Sequence, residues 1–187
     1  MIRTILLIAV ISVFSVSSFA ASSNRKPADG PYREYYENGI VSREENYRNY
    51  VLDGTAKTFY EDGGLASTAV YADGKRQGEG KTFYQNGKVQ TSVNFVDNET
   101  EGRFYKYYET GELEREATFK AGRLEGPAKV LYPSGVVQKQ MNYANGVLSG
   151  SASEFNEQGQ LIAQEEYKDG NLMSRKEYDQ TLEAPKK

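Results

Sequence analysis

The 187-residue chain contains no histidine, no cysteine and no tryptophan. Without histidine and cysteine there can be no Ser-His-Asp or Cys-His nucleophilic site. The usual zinc ligand sets and the imidazole general base are excluded on the same ground. Without cysteine no disulfide can staple the fold, as disulfides do in many small exported domains, and no cysteine can carry a lipid. Basic residues are not clustered either. Twenty-three Lys and Arg face 26 Asp and Glu, for a net charge of −3, which argues against electrostatically driven nucleic-acid binding. Nor is there an apolar run of the roughly 18 residues that a spanning helix needs.

The longest apolar stretch is Ile5–Phe14, interrupted only by Ser12. It follows a basic start at Arg3 and precedes Ser18-Phe19-Ala20, a small-x-small site. This pattern predicts a secretory signal over residues 1–20, cleaved near Ala20, and an exported protein, periplasmic or secreted. An uncleaved anchor is the alternative. Removal of Arg3 with that segment leaves 22 basic and 26 acidic residues. Residues 21–29 (ASSNRKPAD) read as a flexible leader.

Glycine is what the chain has instead, and it is strictly placed. An opening glycine recurs every 24 residues as Gly30, Gly54, Gly78, Gly102, Gly126 and Gly150. A second series runs Gly39, Gly63, Gly87, Gly111, Gly135 and Gly159, and a third Gly74, Gly122, Gly146 and Gly170, with Asn98 in the same register. Sixteen of the 18 glycines lie on this lattice; only Gly64 and Gly80 lie off it. A fixed period of this size marks a repeat architecture. Six units fill residues 30–173, and residues 174–187 form a partial unit and a polar tail.

Turn signals about every 12 residues predict two strands per unit, joined up and down. Asn38-Gly39 and Asn86-Gly87 are strong two-residue type I′ signals, with a second turn at Asp73-Gly74, Asp97-Asn98, Ala121-Gly122, Asn145-Gly146 and Asp169-Gly170. Tyr50 replaces glycine in the first unit and predicts a longer or differently shaped turn. A two-residue turn at Asn86-Gly87 would place Tyr84 opposite Val89 and Gly78 opposite Phe95, with the Phe95 ring over the bare glycine. The fold class expected is all-β: an elongated single-sheet antiparallel meander of tandem hairpins, about 12 strands wide and of order 55 Å long. Such a sheet must twist.

Alternation then sorts the side chains. One face collects the rows headed by Tyr84, Val89 and Phe95, and is expected to pack. The other carries Lys81, Gln90, Ser92 and Asn94, yet an aromatic row runs through it: Tyr35, Phe59, Phe83, Tyr107 and Phe155, with Leu131 in the same slot. These five aromatics and Lys81 are the candidate partner-binding residues, because rigid aromatic surface suits protein recognition. The competing reading is that sheet curling or Lys and Arg stems cover the row.

Carboxylate catalysis remains conceivable at Glu44–Glu45, Glu165–Glu166 or Glu99–Glu101. Adjacent strand residues point to opposite faces, however, and Glu99 and Glu101 flank a turn where solvation is expected. The glycine-rich stretches Gly74–Gly80 and Gly122–Gly126 lack the following helix that an anion site uses. Asp73, Asp97 and Asp169 offer one carboxylate per turn, too few for calcium. No catalytic residue, metal or cofactor is therefore assigned.

The strings GKTFYQNGKVQTSVNFVDN and GRFYKYYETGELEREATFKAG resemble the bacterial variant of the MORN (membrane occupation and recognition nexus) repeat. Its signature is Gly, then Tyr-Tyr or Phe-Tyr, then Asn-Gly-x-Leu, then Tyr-x-x-Gly, and the likeness extends from Gly30 to about Tyr178. It implies a rod of successive hairpins. Proteins of this type are often called YwqK-type antitoxins, after a partner that neutralises a secreted toxin. The expected function is thus an exported, non-enzymatic repeat protein that binds another protein, an immunity- or antitoxin-like inhibitor of a toxin or secreted effector. The alternative is a structural or membrane-surface scaffold module of the cell envelope.

Overall fold

The structure is a computed structural model and describes residues 29–179. Among these residues there is no helix; seventeen strands form one antiparallel sheet. Thirteen are long and four are two-residue pieces beside the second turns: Val51–Leu52, Lys75–Arg76, Arg123–Leu124 and Val147–Leu148. Each long strand pairs with the long strands before and after it, and each two-residue piece only with the strand before it, so the sheet is a meander. The signal-like segment and the last eight residues lie outside the described range.

The third unit shows the construction. Gly78–Phe83 runs antiparallel to Val89–Val96, with Gly78 opposite Phe95 and Thr82 opposite Thr91. The glycine–aromatic register recurs in all six units, from Gly30–Tyr47 to Gly150–Tyr167. The far edge of Gly78–Phe83 is paired with the preceding unit, Ser67 to Thr82 and Thr68 to Lys81.

The two kinds of turn differ from the expectation in instructive ways. Asn86-Gly87 is not a two-residue turn. The Gly87 amide donates to the Tyr84 carbonyl (2.9 Å), and the Tyr84 amide to the Lys88 carbonyl (2.9 Å). Only Gly87 has positive φ, 81°. The loop is therefore the three-residue Gln85-Asn86-Gly87, a type I turn closed by a left-handed glycine, and Lys88 donates its amide to Asn86 Oδ1. As a result Val89 pairs with Phe83 rather than Tyr84, and a bulge between Thr82 and Phe83 restores the register beyond it. The bulge also carries Gln90 to the other face, where Thr82 Oγ1 contacts its Oε1 at 3.2 Å.

The second turns are the true two-residue ones. Asp97 and Asn98 both have positive φ, 51° and 74°. Asn49 and Tyr50 do too, at 50° and 61°, so Tyr50 does not change the shape of its turn; the tyrosine is held in the same left-handed geometry as the glycines. Beyond each second turn the ladder is interrupted. Ala69 and Val70 stand opposite the four residues Gln77 to Gly80, between the pairs Tyr71–Arg76 and Thr68–Lys81. The opening glycine sits in this interruption with φ of 79° at Gly78, which is why a glycine recurs there.

Its neighbour explains a glycine off the lattice. The Phe95 ring does not lie over Gly78, where a Cβ would meet nothing within 4 Å; it lies over Gly80, where a Cβ would come within 3.0 Å of Cε2.

Burial is one-sided. Ala69, Val93, Phe95, Phe104, Phe119, Ala128, Ala152, Ala163 and Tyr167 are buried, and all project from the face shared with Thr82 and Phe95. No second layer covers them among the described residues, so the sheet must wrap around this face. The centre is Val93, Phe95, Phe104 and Phe119, with Ala117 and Leu124 against them. Phe104 and Phe119 meet edge-on at 5.9 Å, and the Arg76 guanidinium lies 5.3 Å from the Phe95 centroid. Each such apolar side chain contributes about 1.5–3 kcal/mol on burial.

Candidate interaction face

Two hydrogen-bond series keep the units in register and so hold the opposite, solvent-facing side regular. Tyr36, Tyr60, Tyr84, Tyr108 and Tyr132 each donate their hydroxyl to a carbonyl 23 residues ahead: Phe59, Phe83, Tyr107, Leu131 and Phe155, at 2.5–3.0 Å. Each acceptor carbonyl belongs to the aromatic row or its Leu131 equivalent. These tyrosines were expected only to pack against aliphatic partners. The second series is at the other edge. Asp53, Gln77, Glu101 and Glu125 each accept the amide of a turn residue 20 positions on: Asp73, Asp97, Ala121 and Asn145. Asp29 instead accepts the amide of the second residue of its turn, Tyr50, 21 positions on. Glu101 is thus a turn ligand rather than a merely solvated carboxylate. The signal for this series was present as an acid or amide immediately before the first five opening glycines, with Ser149 before the sixth.

On the packed face a hydroxyl ladder, Thr58 with Ser67 and Thr82 with Thr91 (2.6 Å each), gives way to charge. Lys106 pairs directly with Arg115, and Glu114, 9% exposed, lies between them, 2.7 Å from Lys106 Nζ and 3.0 Å from Arg115 Nε. Burial, and then the Glu114 charge, push the hydroxyls of Tyr84 and Tyr108 up from the usual phenol value. Tyr167 is pushed up to about 12 by burial and by its hydrogen bond to Glu165.

The face that the core leaves to solvent carries the residues picked out in the sequence. Tyr35 is 59% exposed; Phe59, Phe83, Tyr107 and Phe155 are half-buried. Each stands opposite an aliphatic residue: Tyr35 with Val41, Phe59 with Leu65, Phe83 with Val89, Tyr107 with Leu113, Phe155 with Leu161; Leu131 pairs with Val137 in the fifth unit. The row therefore alternates ring and shorter side chain through the first four units and is broken in the fifth, where Leu131 replaces the ring. Beside it runs a basic row, Arg33, Lys57, Lys81 and Lys129, with Tyr105 in the fourth unit, 6.5 Å from Tyr107 between ring centroids.

Most of these cations have partners. Arg33 meets Glu44 at 2.8 Å and Lys129 meets Glu116 at 2.9 Å. Lys81 meets Glu79 at 2.8 Å, and Glu79 also accepts from Ser92 Oγ. The lysine, and then the serine, hold the Glu79 carboxyl below its ordinary value. The structure thus brings Phe59, Phe83, Tyr107 and Lys81 into one stripe, with Tyr35 and Phe155 at its two ends.

The carboxylate pairs do not converge. Glu44 pairs with Arg33 on the solvent-facing side, whereas Glu45 meets Arg43 and the Tyr47 hydroxyl on the packed side. Among the described residues no three His, Cys, Asp or Glu side chains gather as a metal site.

Comparison with known proteins agrees with the repeat. The family model described as MORN repeat variant matches six segments, residues 28–49, 52–73, 76–97, 100–121, 124–145 and 148–169. No curated protein matches the chain. Among solved structures, an S. aureus TarM mutant in complex with fondaparinux, alpha-GlcNAc-glycerol and UDP is similar at 12% identity and a TM-score of 0.37, over 58% of this chain and 21% of that one. TarM itself is similar at 20% identity and a TM-score of 0.28, over 55% and 18%. The chain spans about a fifth of the length of these two proteins, and neither likeness bears on function.

Proposed function

This chain belongs to the MORN repeat variant family, and from that premise we propose that it is a non-enzymatic rod that binds another protein through its solvent-facing stripe. The observation that carries this is the stripe itself. Phe59, Phe83 and Tyr107 stand half-buried on the side that the core does not use, in register over successive units, and the part of each ring left to solvent is apolar surface of the kind that marks interaction sites. In its specific form the protein is an exported immunity- or antitoxin-like inhibitor that occludes a toxin or secreted effector. The signal-like residues 1–20 and the YwqK-type resemblance support that form.

The test is co-expression with toxin or effector genes adjacent to its own. Wild-type protein should protect cells, and the triple substitution Phe59→Ser, Phe83→Ser and Tyr107→Ser should not. Equal protection by both proteins refutes the stripe as the binding surface. If deletion of the gene leaves cells indifferent to every neighbouring effector, the inhibitor reading fails.

The basic row beside the aromatics favours a second reading, a scaffold module lying on an anionic envelope surface. Flotation with anionic liposomes separates the two, since only the scaffold module would float with them.

A further inference from the structure

The last strand, Asn171–Glu177, is hydrogen-bonded on one side. It pairs with Leu161–Lys168, and among the described residues no strand lies beyond it. All seven of its residues are exposed. Alternation decides which backbone groups this edge offers. The Tyr178 amide donates to the Ile162 carbonyl (3.0 Å), so Ser174 and Lys176 turn their amides and carbonyls into the ladder, while Arg175 and Glu177 turn theirs outward. The opposite edge of the sheet differs. The Asp53 amide donates to the Asn46 carbonyl (2.8 Å), so Asn46 turns towards the second unit. Pro31 stands opposite Asn46 and therefore turns outward, where it has no N–H to give. Proline is a usual guard against strand addition; Asn171–Glu177 contains none.

The last strand is also out of phase with the repeat. Ser151 stands opposite Glu166, whereas Arg175, 24 residues later, stands opposite Glu165 and so leaves from the other face. Such an edge cannot continue the lattice, but it can pair with its own copy. We propose that two copies join edge to edge through Asn171–Glu177, antiparallel about a two-fold axis at Lys176, into one sheet of twice the width. Charge selects this register. Outward residues must meet outward residues, and an axis at Lys176 sets Arg175 against Glu177 of the second copy, twice. Each of these two pairs exchanges both of its backbone hydrogen bonds. Glu177 has 75% of its side chain exposed and Arg175 37%, so both are accessible from that side. An axis at Arg175 or at Glu177 would put like charges together, and one at Ser174 would set Arg175 against Met173. Lys176, whose Nζ lies 4.5 Å from the Tyr178 ring centroid, meets its own copy on the solvent-facing side, the unfavourable contact of the four. The guarded edge at Pro31 leaves the assembly closed as a dimer rather than open as a filament.

This inference is independent of the aromatic stripe. The test is sedimentation of residues 21–187 from about 1 µM to 1 mM, the span of weak complexes. The protein should pass from monomer to dimer. Arg175→Glu and Glu177→Arg should each weaken association about tenfold or more, and an equimolar mixture of the two should restore it, because the mixed dimer regains both opposite-charge pairs. Lys176→Thr should tighten the dimer about two- to fivefold by removing a like-charged pair. Neither gain can come from misfolding. The chain has no cysteine, so Lys176→Cys reports the axis directly: its Cα atoms would lie about 4.5 Å apart, within disulfide reach. Mild oxidation should cross-link Lys176→Cys and leave Asn171→Cys, equally exposed on the same strand, uncoupled. A monomer throughout the range, a mixture no more associated than its components, or equal cross-linking at the two positions overturns the inference. So does dimerisation seen only after removal of residues 180–187, which would make the chain's own tail the occupant of the edge.

Discussion

Substitution Tyr84→Phe removes one oxygen from the junction between the third and fourth units and changes nothing else in the ring. That oxygen donates to the Tyr107 carbonyl at 2.7 Å in a half-buried setting. A typical intramolecular hydrogen bond contributes about 0.5–1.5 kcal/mol net, so the variant should be about 1 kcal/mol less stable. With a urea m-value of about 1–3 kcal/mol/M, the midpoint should fall by roughly 0.3–1 M.

The repeat geometry adds a sharper expectation. In an array where each unit touches only its neighbours, a weakened internal junction loosens both halves, whereas a weakened terminal junction releases one unit. Tyr84→Phe should therefore shift the main transition, and Tyr36→Phe, one bond from the end, should chiefly lower the free energy at which the first unit frays. The assay is urea unfolding followed by far-ultraviolet circular dichroism, with amide exchange to report the ends. Tyr60→Phe combined with Tyr132→Phe should be additive, about 2 kcal/mol, since these hydroxyls lie in separate junctions and share no partner. An unchanged midpoint in Tyr84→Phe, or an equal main-transition shift in Tyr36→Phe, would refute the idea that these hydroxyls tie units together.

Further outcomes follow from other contacts. Tyr50→Gly should raise stability by about 1 kcal/mol, because left-handed geometry costs an L-residue about 1–2 kcal/mol and Tyr50 has φ 61°; calorimetry should show Tm higher by a few degrees. Gly80→Ala should destabilise through the Phe95 ring, and the penalty should shrink in a Phe95→Leu background. Gly78→Ala should destabilise through its φ of 79° and be indifferent to Phe95. The Tyr167 hydroxyl has its folded pKa raised to about 12, from an ordinary value of 10.0. Its contribution is fully present below pH 10 and is lost as pH rises through 12; Tyr167→Phe should flatten that part of the stability profile, with phenolate absorbance reporting the titration.

The period, the meander and the pairing of each opening glycine with an aromatic were legible because they rest on strict two-residue alternation and on turn glycines. What was not legible comes from bulges. A single extra residue at Gln90 moves that side chain across the sheet and moves Val89 from Tyr84 to Phe83, and no local residue preference announces it. The tyrosines were misjudged for a related reason: alternation says which side a ring leaves from, but not that its hydroxyl reaches a carbonyl one unit ahead. Of the site, the aromatic row and Lys81 were readable from their shared face. The acid-before-glycine series was visible in the sequence, but the cap it forms needs an amide in the next turn, a contact that only the folded sheet brings about.

The tyrosine series also has a direction. Each unit reaches forward to the next, and the series stops where Asn156 replaces the tyrosine and bonds within its own loop. Ser174 then stands where the next opening glycine would fall; the last strand keeps the usual first pair, Tyr167 with Leu172, but then pairs Glu166 with Ser174 and Gln164 with Lys176, without the four-residue interruption of the interior units. The C-terminal end is thus written as a stop, whereas interior units are interchangeable modules. Length becomes a variable that can change by whole units: duplicating or excising 24 residues between two second turns should give a longer or shorter rod with the same ends, while grafting another unit after residue 179 should give an unjoined appendage.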